Sequence, residues 1–273
     1  MKIFLLAALA AYLVAAIHSV LAFLNKRLLL ERVSLVALLF GFTMHTTALI
    51  VDWLQSGNYP LFYLRETLSF LAWTLVIAYG VAWCSYRTQA LGSFTLPLVT
   101  LLTFIANVVG ENASVAHGVI TEGQAAWLFP IHTTLLLFAY ASFFVVFAAS
   151  VMYLLQEREL KLKTFGAIFH RLPSLTTVDD IGSTAVAVGW ILLTLGIFTG
   201  MLWSATRDGI FWHNDPKEIF AVLTWLLYLA MLHYRYIAGR RGRRAAWLGI
   251  AGWGLVLCTF LGARLMGGYH VFN

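Results

Sequence analysis

Residues 128–155 read LFPIHTTLLLFAYASFFVVFAASVMYLL, 28 positions without one Asp, Glu, Lys or Arg. A helix rises ~1.5 Å per residue and a bilayer's hydrocarbon core is ~30 Å thick, so this run is long enough to span a membrane with residues to spare. The remainder of the chain agrees, with 61% apolar and 11% charged side chains over 273 residues, a balance no water-soluble fold carries. Lipid offers no partners to backbone N–H and C=O groups, so spans must be helices or a closed barrel. Barrel strands alternate apolar and polar residues, and these runs do not.

Reading the other apolar runs against their charged breaks gives eight helices in a single membrane domain, at about 2–24, 33–54, 65–86, 91–109, 128–155, 183–204, 217–237 and 245–266. The first resembles a signal peptide at Ala7-Ala8-Leu9-Ala10, but its apolar stretch is too long and it ends in Asn25-Lys26-Arg27 as a span does. Thirteen of the eighteen bases, among them Lys26, Arg158, Arg235 and Arg244, fall in or beside the connections after helices one, three, five and seven. Lys2, Arg65, Arg207, Lys217 and Arg264 fall on the opposite side. The asymmetry predicts that both termini face outward, and it assigns the net charge of +6 to topology and not to nucleic acid. Within the longest inner connection, residues 162–171 are expected to lie on the membrane surface as a short amphipathic helix that Pro173 ends. Cys84 and Cys258 are the only cysteines, so the chain cannot build a CxxC pair or a CxxCH haem-attachment motif.

Aromatic residues gather on the outer side, among them Trp53, Tyr59, Trp127, Trp203, Trp212 and Tyr269. They form either an interfacial belt or the walls of a site for a large planar ligand. Eight histidines occupy distinct depths. His45 falls within helix two, His18 and His233 toward inner helix ends, His132 at the outer start of helix five, and His270 beyond helix eight. A histidine inside a span either bonds a neighbouring carbonyl or hydroxyl or serves a site. The spans hold almost no carboxylate, which argues against a proton relay, and zinc would recruit closer-spaced ligands. Paired imidazoles between apolar walls suit a six-coordinate haem iron.

Trp212-His213-Asn214-Asp215-Pro216-Lys217-Glu218, followed by Thr224-Trp225-Leu226-Leu227-Tyr228 and Leu232-His233-Tyr234-Arg235, resembles the cytochrome c assembly family of CcsA/ResC type. In that family a tryptophan-rich outer loop ends in WDPKE and leads into a helix reading TWxxYxxxLHxR. Gly57-Asn58-Tyr59-Pro60 with Glu66, Trp127-Leu128 with His132 and Tyr140-Ala141, Leu193-Thr194-Leu195-Gly196-Ile197 with Gly200, and Gly267-Gly268-Tyr269-His270 extend the resemblance over nearly the whole chain. The resemblance implies haem b bound without covalent attachment through pairs of histidines in a bacterial cytoplasmic membrane. His132 and His270 match the outer pair of iron ligands, and His233 matches a transmembrane ligand. His45 is its expected partner, with His18 as the alternative. Trp203, Trp212 and Asp215 are expected beside the outer haem, although Asp215, Lys217 and Glu218 equally suit helix capping before Pro216, ion pairing with one another, or contact with haem carboxylates.

The loop at 205–218 departs from the family. Of the three tryptophan places immediately before, three before and seven before the aspartate, this chain fills one, with Asn214, Trp212 and Asp208 in that order. The degenerate loop points to the HemX-like or YpjD-like branch. Such a protein is expected to handle haem alongside an apocytochrome c or another cytochrome c maturation membrane protein, not to attach haem as a catalyst on its own. The alternative is a HemX-like regulatory or scaffold protein of tetrapyrrole metabolism that binds a protein partner through its loops. A solute transporter fits least, because no paired broken helices occur.

Overall fold

The computed structural model describes residues 1–25, 27–57, 59–61, 63–109, 127–163, 166, 169–238 and 242–266, with only the backbone described at Asp208 and over 260–266. Its elements are all helical: α1 (Lys2–Asn25), α2 (Leu28–Ser56), α3 (Leu64–Tyr86), α4 (Ala90–Val108), α5 (Leu128–Leu162), α6 (Leu175–Asp208), α7 (Pro216–Leu232) and α8 (Arg243–Met266). Among the described residues, seven helices are long and apolar enough to cross a membrane, and α8, at 24 residues, is of similar length.

Helices α5 and α6 extend well beyond the stretches expected from hydropathy, to 35 and 34 residues. At ~1.5 Å per residue each is ~50 Å long, more than a hydrocarbon core requires. Most of the added turns, 156–162 of α5 and 175–182 of α6, lie at one end of the bundle and have polar support. Glu157 pairs with Lys161 one turn on, at 2.7 Å. Ser174 caps α6 by accepting from the Thr177 N–H at 3.2 Å. Asp179, read from sequence as part of a loop, is buried in α6 and accepts from Arg235 Nη1 at 2.8 Å. That guanidinium also donates to Ser183 Oγ at 2.6 Å. Arg235 reaches it from a π-helical turn, His233–Ile237, in which the Ala238 N–H donates to the His233 carbonyl at 3.1 Å. One extra residue in the turn changes the side-chain register there, a device common at specialised sites. Of the expected amphipathic helix, Thr164, Phe165, Ala167 and Ile168 lie outside the described residues, while Phe169, His170 and Arg171 form a turn.

Close helix approach is set by glycine. Positions 182, 189 and 196 of α6 repeat every seven residues, and each faces α5. A Cβ on Gly189 would stand 2.6 Å from Phe143 Cε1, and one on Gly196 would stand 2.7 Å from Leu136 Cδ2. Phe143 in turn stacks on Tyr228 of α7, with centroids 3.8 Å apart and planes 7° from parallel. A Cβ on Gly252 of α8 would lie 2.5 Å from the Tyr228 ring. Four helices are thus layered through one ring pair between two glycines, in the manner of small-residue packing where lipid supplies no hydrophobic drive.

The connections form two chemically different ends. At one, Met1, Asp52, Arg65 and the start of α5 come together: Arg65 bonds Asp52 at 3.3 Å, and Tyr59 Oη meets Thr134 Oγ1 at 3.1 Å. At the other stand the Asp179–Arg235 pair, Arg243 beside Glu157, and Tyr86, whose hydroxyl bonds Thr184 Oγ1 at 2.8 Å. We refer to these as the base-poor and base-rich ends.

Gly189→Ala forces the Phe143–Tyr228 stack apart and is expected to destabilise the protein by about 1–3 kcal/mol. Gly80→Ala, where a Cβ meets nothing within 4 Å, serves as the matched control in a detergent thermal melt. Asp179→Ala leaves the Arg235 charge buried and is expected to cost about 3–5 kcal/mol in the same assay. A melting temperature equal to wild type would show that the pair does not support the base-rich end.

Candidate functional site at the base-poor end

His132 sits in the second turn of α5, facing the last turns of α6. Its Nδ1 lies 2.7 Å from the Gly196 carbonyl oxygen. A carbonyl only accepts, so Nδ1 carries the proton of this bond, and in the neutral tautomer that goes with it the acceptor nitrogen is Nε2. Metal-ligating histidines are commonly oriented by such a backbone contact. The ring fits here because residue 200 has no side chain: a Cβ on Gly200 would stand 2.5 Å from His132 Cε1 and Nδ1. Both glycines were among the residues carrying the sequence resemblance, yet their shared service to His132 is visible only once α5 and α6 are packed.

Beside His132 opens a cavity of about 120 Å³ among the described residues, walled by Trp203, Arg207, Trp212, Lys217 and Glu218 together with aliphatic side chains of α5, α6 and α7. It is smaller than the ~300 Å³ at the low end of ligand pockets, so it has room for an edge of a large ligand and not the whole of one. Trp203 is buried against Phe129, with centroids 5.1 Å apart, and Arg207 lies over its indole at 4.4 Å. Trp212 is 37% exposed and Phe211 56% exposed, leaving aromatic surface at the mouth.

The connection from α6 to α7 is held by local hydrogen bonds. Gly209 ends α6 at φ 70°, a conformation glycine adopts without strain. Ser204 Oγ donates to the Ile210 carbonyl at 2.7 Å, and Trp212 Nε1 donates to Asn214 Oδ1 at 2.7 Å. Asp215 Oδ1 accepts from the Lys217 N–H at 3.1 Å, and Pro216 occupies the first helical position. Glu218 Oε2 accepts from the N–H groups of His213 and Asp215, at 2.9 and 3.3 Å. Asp215 and Glu218 therefore form a capping box, one of the roles the sequence left open. Arg207 was not expected in the site; it carried no signal beyond being a base on the side where bases are few.

Of the other expected ligands, His45, His18 and His233 do not line this cavity. His270 is outside the described residues, as are His117 and Tyr269. His45 is fully buried, with Nδ1 3.2 Å from Tyr12 Oη on α1 and Nε2 2.8 Å from Ser69 Oγ on α3, so both ring nitrogens are engaged. His18 Nδ1 donates to the Val14 carbonyl at 2.8 Å, which leaves its lone pair at Nε2. His233 is exposed at the junction of α7 with the π turn. The principal neighbours of α7 are α6 and α8, so neither His18 nor His45 stands on a helix packed against it.

A haem's requirements can be set against this donor chemistry. An imidazole with a directed Nε2, aromatic and aliphatic walls and a cavity open on one side suit the edge and axial face of an iron porphyrin. The family model for "Cytochrome C assembly protein" matches residues 61–270, a span that includes every element of this site. The chain is 28% identical to the cytochrome c biogenesis protein CcsA of Prochlorococcus marinus subsp. pastoris, covering 82% of this chain and 78% of the relative. It is 29% identical to the protein of the same name from a Synechococcus species, covering 82% and 80%.

Gly200→Ala tests the histidine seat. In the wild type, side-chain ¹⁵N shifts are expected to show His132 as the Nδ1–H tautomer. The added methyl displaces the ring from the Gly196 carbonyl and mixes the tautomers. An unchanged ¹⁵N pattern in the variant would mean that the glycine pair does not fix the ring.

Proposed function

This chain belongs to the cytochrome c assembly protein family, and on that premise we propose that it holds haem b non-covalently at the base-poor end of the bundle, on the outer face of a bacterial cytoplasmic membrane, for cytochrome c biogenesis. The observation that carries the proposal is the His132 Nδ1 to Gly196 carbonyl bond, which aims Nε2 as an iron ligand requires. His270 is proposed as the second ligand.

When bound, haem supplies an iron centre whose ferrous and ferric states differ in absorption. The protein's part is to bind, orient and shield. His132 would hold the iron, Trp203 and the aliphatic walls would keep water from the cavity, and the capped loop from 209 to 215 would keep Trp212 at its mouth. A chain without CxxCH cannot retain haem by thioether bonds, so release to an apocytochrome requires only that axial ligation and apolar contacts give way. Asn214 and Asp208, standing where the family carries tryptophan, favour holding and delivery over attachment, which we assign to a partner membrane protein of the maturation system.

The hydrogen bonds of His45 favour a structural role linking α1, α2 and α3 over ligation, because iron would have to displace Tyr12 or Ser69. His18 keeps a lone pair at Nε2, but it is on α1, away from His233. The site proposed for haem is therefore the one at His132.

Purified full-length protein in detergent is expected to give a reduced-minus-oxidised spectrum with sharp α and β bands, as bis-histidine haem does. His132→Ala and His270→Ala are each expected to weaken and shift those bands, while His45→Ala lowers the melting temperature and leaves the spectrum of the remaining haem unchanged. Wild-type protein that neither copurifies with haem nor can be loaded with it would rule the reading out.

A further inference from the structure

A groove lies between α1 and α2, two helices that contribute nothing to the His132 cavity. Its volume is about 740 Å³, within the ~300–1,000 Å³ that holds one ligand molecule. The walls are two helical lines: Ala7, Ala10 and Val14 on α1, and Arg32, Val36 and Phe40 on α2. Val14, Val36 and Phe40 are exposed, so the groove opens to the surroundings of the bundle and not into its core. Alanines on one wall and larger apolar side chains on the other leave a slot along the helix pair.

Arg32 is a base in a lining that is otherwise apolar, and among the described residues it makes no ion pair or hydrogen bond. The acid beside it is turned to another helix, since Glu31 Oε2 accepts from Gln89 Nε2 at the start of α4. That contact also places Arg32 at the base-rich end, where Tyr86 meets Thr184. Topology accounts for a base at this end, but not for its position at the end of an apolar groove. The register of α1 and α2 gives the groove its length. Ser34 Oγ donates to the Ala15 carbonyl at 2.8 Å, which sets those two residues at one level. Arg32 stands two residues from Ser34 toward the base-rich end, and Ala7 stands eight residues from Ala15 toward the other. At ~1.5 Å per residue the groove runs ~15 Å from Arg32 to Ala7, the depth of one leaflet in a ~30 Å hydrocarbon core.

We infer that this groove seats one anionic phospholipid, with an acyl chain along the alanine wall and the phosphate at Arg32. Basic pockets between membrane helices select lipids by their head groups. An arginine stem can lie along apolar surface while the guanidinium reaches head-group level. A phospholipid carries its anion where its chains begin, so one molecule meets both the charge at Arg32 and the apolar length beyond it. A neighbouring helix would have to bring an acid to that level.

The test uses the delipidated full chain in detergent, titrated with dioleoyl phosphatidylglycerol or dioleoyl phosphatidylcholine. Native mass spectrometry counts the bound lipids and the protein copies. The wild type is expected to take up one phosphatidylglycerol about fivefold more tightly than phosphatidylcholine. Arg32→Gln is expected to erase that preference, and Arg32→Lys, which keeps the charge, to retain most of it. Arg158→Gln removes an exposed base of α5 that does not line the groove, and it is expected to leave the preference unchanged. Ala10→Phe fills the slot from an exposed position and is expected to weaken both lipids by about tenfold. Equal affinity of the wild type for the two lipids, binding of neither, or a preference that Arg32→Gln keeps would overturn the inference. A dimer, or a second polypeptide held by the wild type, that Ala10→Phe releases would overturn it as well, because the groove would then be a face for another helix.

Discussion

The ring pair Phe143–Tyr228, pressed between Gly189 and Gly252, is the contact on which the rest of the bundle depends. In lipid, helices gain little by burying apolar surface, so their separation is set by how closely backbones and rings can approach. The two glycines let α6 and α8 close on the rings from opposite sides, and α5 and α7 carry the rings themselves. One layer therefore fixes the spacing of four helices at mid-depth.

The consequence reaches the site through α5 and α6. With the two helices held close at Gly189, the same heptad repeat places Gly196 against Leu136, and the next turn places Gly200 against His132. A carbonyl of α6 comes within 2.7 Å of a ring nitrogen on α5 only because no side chain stands between them. Packing density at the centre thus becomes proton placement at the end, since the tautomer of His132 follows from the acceptor it meets. A helix pair spaced by larger residues would leave the same histidine without that direction.

The two ends use charge differently. At the base-rich end the buried pair Asp179–Arg235 ties α6 to the π turn, and the cation is matched by a carboxylate already in the protein. At the base-poor end Asp215 and Glu218 serve the first turn of α7, so they are bound up in capping while Arg207 and Lys217 border the cavity. Carboxylates thus brace a buried guanidinium at one end and cap a helix at the other.

The amino-acid sequence by itself determined the helical class, the approximate helix positions and the grouping of connections into two ends, because hydropathy over about twenty residues and the count of bases in a loop are local properties. Capping at Asp215 belongs to the same kind of information, read over three or four residues. Hydropathy stopped α5 at 155 and began α6 at 183, since it scores Glu157 and Asp179 as breaks; their partners, Lys161 one turn away and Arg235 on another element, are what keep those turns helical. The sequence marked His45 and His132 alike as histidines in or near spans, and it could not separate them. Tertiary structure did, giving His45 two hydroxyl partners from α1 and α3, and His132 a carbonyl 64 positions away together with a cavity beyond it. Whether an imidazole is consumed by the fold or directed toward a ligand depends on which atoms distant parts of the chain bring to its two nitrogens, and only the packed helices decide that.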